Sequence, residues 1–174
     1  MLVRTRAFLA AAVLCLPVLA SAQNPQSGDA FLAARIGANL VGNTYRVRQS
    51  KAVPGAGVSG GVFLSGYWAA ELEVWRRSSN PDCCAGKEML YSLSAERLYA
   101  RIGISPYLAG GITLLRSQST GRGAQGSTRV QVQVTAGVRV PIVPRLAVDL
   151  DLRGNGGGST MIVRPTIAAV YFFR

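Results

Sequence analysis

Glu71 with Glu73 and Asp149 with Asp151 are carboxylate pairs two residues apart. In an extended strand that spacing puts both members of a pair on one face, where they could hold a cation or do acid–base work. Such work near neutral pH usually recruits a histidine, and the chain has none. Arginines offer a plainer partner. Arg35, Arg139, Arg153 and Arg164 together with Glu96 complete a set of four cations and five anions at mid-segment positions. That near balance predicts an ion-pair network and no catalytic centre. Cys83 and Cys84 are adjacent, so their Cα atoms lie about 3.8 Å apart, closer than the ~4.4–6.8 Å of an ordinary bridge. A structural metal site needs about four ligands, and neither a histidine nor a further cysteine remains beyond Cys15 near the N-terminus. Gly154-Asn155-Gly156-Gly157-Gly158 and Gly121-Arg122-Gly123 lack the Gly-Lys-Ser/Thr ending and the helix of a phosphate loop, and read as loop tips. No catalytic, cofactor-binding or metal-ligating residue is expected.

The elements that must position the charged set announce themselves by a period of two. Val130, Val132, Val134, Ala136, Val138 and Val140 alternate with Gln131, Gln133, Thr135, Gly137 and Arg139. Leu146, Val148, Leu150 and Leu152 alternate with Ala147, Asp149, Asp151 and Arg153. Weaker copies run through Leu32 to Leu40, around Arg35 and Asn39, and through Trp68 to Val74, around Glu71 and Glu73. Strict alternation over many residues argues for strands with one apolar and one polar face. A consistent parse has eight: 30–42, 57–66, 67–77, 88–100, 105–117, 128–141, 145–154 and 160–173. Long connections over 43–56, 78–87, 118–127 and 155–159 alternate with short ones at Gly66-Tyr67, Ile102-Gly103-Ile104 and Val143-Pro144.

Before the first strand, Arg4 and Arg6 precede the apolar run Ala7–Ala20, and Ala20-Ser21-Ala22 is a small-x-small cleavage site. This is the layout of a secretory signal peptide, and the run is too short for a spanning helix of about 20 apolar residues. Residues 1–22 are therefore read as a cleaved leader and 23–174 as one domain. Cleavage lowers the net charge from +11 to +9. A basic exported protein meets anionic lipid phosphates first, and no Lys/Arg-rich run with interleaved aromatics argues for nucleic acid.

Alternation alone leaves open which face is inward. A soluble periplasmic barrel would turn its valines and leucines in and could bind an apolar ligand. A membrane barrel inverts this, with lipid outside and a polar lumen. Three features favour the second. The polar face carries charges of both signs in mid-strand. The excess positive charge, Arg46, Arg48, Lys51, Arg76, Arg77, Lys87, Arg122 and Arg129, sits in the long connections. The last strand also ends in aromatics. Tyr67, Trp68, Trp75, Tyr91, Tyr99, Tyr107 and Tyr171 fall near predicted strand ends, as an aromatic girdle requires. Two residues strain the pattern. Arg97 shares the parity of Tyr91, Leu93 and Tyr99, so it faces lipid near a strand end or a bulge resets the register. Pro165 removes a ladder donor and predicts a bulge or local irregularity.

The segment Met161–Phe173, with Ile167, Ala169, Tyr171 and Phe173 at alternate positions, resembles the C-terminal β-signal of bacterial outer-membrane barrels, though Arg174 displaces the aromatic from the last place. Pro106-Tyr107-Leu108-Ala109-Gly110-Gly111-Ile112 resembles a strand of the porin-like β-barrel domain family of Gram-negative bacteria. The resemblance implies recognition of the last strand by the barrel-assembly machinery. The resulting expectation is an all-β protein: an eight-stranded antiparallel up-and-down transmembrane β-barrel in the outer membrane, monomeric and non-enzymatic, with no cofactor. Its lumen would be filled by Arg35, Glu71, Glu73, Glu96, Arg139, Asp149, Asp151, Arg153 and Arg164. Arg46, Arg48, Lys51, Arg76, Arg77, Arg122 and Arg129 would meet lipopolysaccharide. The expected role is structural or surface-interacting, with a narrow porin or the soluble ligand-binding barrel as alternatives.

Overall fold

The computed structural model describes residues 25–43, 52–77, 86–100, 103–119, 126–157 and 160–173. Eight strands follow one another in the chain: β1 (Ala30–Asn43), β2 (Ala52–Phe63), β3 (Trp68–Arg77), β4 (Gly86–Leu98), β5 (Ser105–Ser119), β6 (Gly126–Val143), β7 (Leu146–Gly157) and β8 (Thr160–Phe173). Each pairs antiparallel with its neighbour, and β8 returns to β1, so the sheet closes into a barrel. Closure removes the open sheet edge, the condition for strands to cross hydrocarbon at all. Ala30, Phe173 and the three short turns share one end, called here the turn end; the connections after β1, β3, β5 and β7 form the loop end. No helix among the described residues is long and apolar enough to cross a membrane.

The predicted alternation survives as two faces. Ile36, Val58, Leu72, Val130, Val132 and Val134 point outward and are 61–66% exposed. Leu32, Leu93, Leu108, Ile112, Leu150, Leu152 and Ile167 extend the same belt. A continuous apolar surface of this extent is foreign to a soluble monomer and is what hydrocarbon requires. The polar set points inward, which overturns the soluble barrel with an apolar interior.

The inner face is built in layers. At the turn end Phe31, Phe63, Leu98, Tyr107 and Val170 form an apolar plug with Phe172 packed against it. At the loop end Trp75, Leu90, Leu115 and Ile162 form a smaller apolar layer. Room for these side chains comes from glycines across the ladder. Phe31 pairs with Gly61, Trp75 with Gly57 and Tyr107 with Gly137. A Cβ at Gly61, Gly57 or Gly137 would come within 2.5, 2.8 or 2.6 Å of the facing aromatic ring. Each ring therefore occupies the space that a side chain at the facing glycine would need, as aromatic residues do over glycines in other sheets.

Several expectations are corrected. Strand β2 begins at Ala52, not 57, and carries Pro54 near its first residue, where a missing ladder donor costs least. The glycine-rich stretch after Arg153 is not a loop tip: β7 runs through Gly157, and Asn155 is buried in the lumen. Glycine-rich backbone that pairs on both sides remains strand. Trp75 and Tyr107 are inside the barrel and do not belong to a girdle, because their strand parity is that of Glu73 and Ala109. Pro165 brings the local irregularity expected of it and no bulge: β1 and β8 lose the pairings opposite Pro165 and Arg164 and resume in the same register. Among the described residues the one register shift lies elsewhere, between Pro141 and Val143 on β6. Arg97 faces outward on an unbroken β4, with its guanidinium 5.6 Å from the Trp68 ring and 5.4 Å from the Tyr99 ring.

Candidate functional site: the ionic lumen and the basic end

Between the two apolar layers all nine of the anticipated lumen residues meet. Arg35, Glu71, Glu73, Glu96, Arg139, Asp149, Asp151, Arg153 and Arg164 are each 0–7% exposed. Strand parity explains the convergence: each is an inward position of β1, β3, β4, β6, β7 or β8. Arg35 reaches Glu71 on β3 at 2.5 Å and Asp151 on β7 at 2.6 Å, and donates from Nε to the Ser59 hydroxyl at 3.2 Å. Arg153 reaches Glu71 at 3.2 Å, Glu73 at 3.1 Å and Asp151 at 3.2 Å. Arg164 reaches Glu73 at 3.1 Å and lies 5.0 Å from the Trp75 ring.

Arg139 sits where the ionic layer meets the aromatic plug. It grips Asp149 with two hydrogen bonds of 2.9 Å, from Nε and Nη2, and its Nη1 lies 3.0 Å from Glu96. The fork-on-carboxylate geometry with Asp149 is the strong form of this contact. Phe31, Phe63, Tyr107 and Phe172 surround the same guanidinium at 5.4–6.0 Å from ring centroid to carbon, within the range of cation–π attraction.

Sequence reasoning missed the neutral members of the network. The Tyr107 hydroxyl donates to Asp151 at 2.8 Å, and Thr166 donates to the same carboxylate. Above the ions, Ser92, Thr113, Gln133 and Asn155 form a connected polar patch: Asn155 Nδ2 donates to Thr113 Oγ1 at 2.7 Å, and Thr113 donates to Gln133 Oε1 at 2.9 Å. The signal was present in their parity, which matches that of the charged residues beside them.

The arrangement commits the carboxylates to ion pairs. Each is held by one or more guanidinium groups, and among the described residues no three His, Cys, Asp or Glu are grouped to hold a metal. An eight-stranded barrel has an interior just wide enough to be filled by side chains, and this one is filled.

Of the anticipated basic contacts, Arg46, Arg48, Lys51 and Arg122 lie outside the described residues, as do Cys83, Cys84 and the expected leader at 1–22. Arg76, Arg77 and Arg129 are not in loops: they occupy the loop-end portions of β3 and β6. Arg77 is paired with Glu88 at 2.7 Å. Arg116 on β5, which the sequence reading passed over, lines the same outward hollow as Arg76, with Met89 of β4 between them. Ile167, Ala169, Tyr171 and Phe173 all project outward from β8, and the Tyr171 and Phe173 rings meet edge to face at 5.0 Å.

Solved structures share the closed eight-stranded fold. The fold matches the attachment invasion locus protein Ail of Yersinia pestis, with 14% identity over 85% of this chain and 100% of that one and a TM-score of 0.64. Neisserial surface protein A matches with 16% identity over 84% and 100% and a TM-score of 0.73. The N-terminal barrel of OprF from Pseudomonas aeruginosa matches with 15% identity over 87% and 98% and a TM-score of 0.61. No family model and no curated protein matches the chain. The fold is thus that of the small eight-stranded outer-membrane barrels, and the outward face is the lipid-facing surface such a barrel needs.

Proposed function

We propose that this protein is a non-conducting, non-enzymatic barrel of the outer membrane that acts through the surfaces it presents, contributing to membrane integrity and meeting lipopolysaccharide at a basic outer end. The observation that carries the reading is the sealed lumen: an ionic layer with residues no more than 7% exposed lies between two apolar layers. A water-filled channel would leave those charges accessible. In planar bilayers the reconstituted protein is expected to give no steady conductance. A large, stable open channel overturns this reading and puts the narrow porin first.

The outer-end reading rests on charge. The loop end would gather Arg46, Arg48, Lys51 and Arg122 beside Arg76, Arg77 and Arg129, and arginine is suited to bidentate phosphate contacts. Ail, which this chain resembles in fold, has been crystallised with the polyanion sucrose octasulfate, which supports a polyanion partner here. Reversing the charge of Arg46, Arg48 and Arg122 together should weaken lipopolysaccharide binding in a salt-dependent way; unchanged binding at low salt refutes it. The outward row Ile167, Ala169, Tyr171 and Phe173 supports recognition by the barrel-assembly machinery, and the leader supports export.

A further inference from the structure

On the lipid-facing side of β3, β4 and β5 the composition changes abruptly from one cross-strand row to the next. Leu72, Leu93 and Ile112 form one row, and Val74, Tyr91 and Leu114 the next toward the loop end. The third row is Arg76, Met89 and Arg116. A step of two residues along a strand advances about 7 Å, so hydrocarbon-compatible surface gives way to paired cations within a single step. Tyrosine at such a boundary is the mark of a membrane–water interface. Arg76, Met89, Tyr91, Arg116 and Gln118 line one outward hollow of about 270 Å³.

The two arginines are separated by one strand, roughly 10 Å between backbones, with Met89 between them as the floor. The Tyr91 hydroxyl is turned onto the Met89 sulfur at 3.5 Å, leaving the hollow to the guanidinium groups and the Gln118 amide. Arg77, the next residue on β3, is satisfied by Glu88. Among the described residues neither Arg76 nor Arg116 has a carboxylate partner, and no outward-facing strand position bears a carboxylate that could supply one. Placing two unpaired arginines on a lipid-facing surface is costly unless they lie at its edge and meet an anion there.

We propose that this hollow is a binding site for a phosphate of a phosphorylated outer-leaflet glycolipid, with Arg76 and Arg116 clamping the phosphate from two sides. Gln118 donates to the adjoining sugar, and the acyl chains descend over Tyr91, Leu93 and Leu114. The inference rests on the outward orientation of the loop end proposed above. It assigns one defined position to a contact otherwise spread over the loops, and it adds Arg116.

The test is native mass spectrometry of the full-length barrel released from nanodiscs that contain bisphosphorylated lipid A in phosphatidylcholine. Wild type and the Arg145→Gln variant, changed in the exposed turn at the opposite end, are expected to carry the lipid A, and R76Q/R116Q to lose it by about tenfold or more. The heat-induced gel shift of each variant verifies that the barrel is closed. Dephosphorylated lipid A should not be retained by wild type. Retention by R76Q/R116Q at the wild-type level overturns the clamp while the wider basic-end reading stands. Equal loss in Arg145→Gln also overturns it, because net charge alone then suffices. Displacement by excess inorganic phosphate reassigns the site to a free anion, and absence of lipid A from wild type overturns the clamp together with the wider reading.

Discussion

Arg139→Ala should be the most damaging single truncation in the lumen. It removes both hydrogen bonds to Asp149 and the ion pair to Glu96, and it leaves three guanidinium groups facing five carboxylates. Breaking a buried pair by removing one partner costs about 3–5 kcal/mol, chiefly because the other charge stays buried and uncompensated. Lost attraction to the four surrounding rings adds to this. With a urea slope of about 2 kcal/mol/M, the unfolding midpoint in lipid vesicles should fall by roughly 1.5–2.5 M. Arg145→Ala, in the exposed turn between β6 and β7, should move it by less than about 0.3 M. Arg139→Met combined with Asp149→Asn should recover part of the loss, since two neutral partners leave less unpaired charge. Equal midpoints for Arg139→Ala and Arg145→Ala would mean that water solvates the interior and that the burial argument is wrong.

Three further outcomes follow from the fold. In mild detergent the unboiled protein should migrate differently on a gel from the boiled one, and solubility without detergent would contradict the lipid-facing belt. Deleting Tyr171–Arg174 should block assembly in cells. Tyr171→Ala with Phe173→Ala tests the signal itself, and should slow insertion in cells without altering refolding in detergent; normal insertion rates would remove the signal assignment. Gly137→Val should push Tyr107 off its seat and cost about 1–3 kcal/mol or more, read as a lowered urea midpoint, whereas Gly110→Val, where the added Cβ meets nothing within 4 Å, should cost little.

Alternation made the strands, their facing and the charged set legible before any coordinates. Val130 to Val140 carries its facing in its own letters, and Asp149, Asp151 and Arg153 follow from one parity rule. What parity could not supply was register. That Tyr107 lies over Gly137, or that Arg76 and Arg116 flank Met89, depends on which residue stands opposite across two ladders. The girdle assignment of Trp75 and Tyr107 failed because closeness to a strand end was weighed above parity. Asn155 was hidden because glycines on both sides imitate a loop, although a paired backbone tolerates them. Arg116 was overlooked because a lone arginine among apolar neighbours becomes a pair only once β3 and β5 are brought to either side of β4.

The ionic layer joins strands far apart in the chain. Arg35 and Asp151 are separated by 116 residues, Arg153 and Glu71 by 82, and Arg164 and Glu73 by 91. These ties run between β1 and β7, β7 and β3, and β8 and β3, and they can form only when the sheet has curled enough to bring those strands face to face. Interactions absent from the transition state for folding act on the rate of escape from the native state. The charges buried at the centre of this barrel thus serve as a latch set after closure, which makes its persistence in the membrane a matter of how slowly it opens.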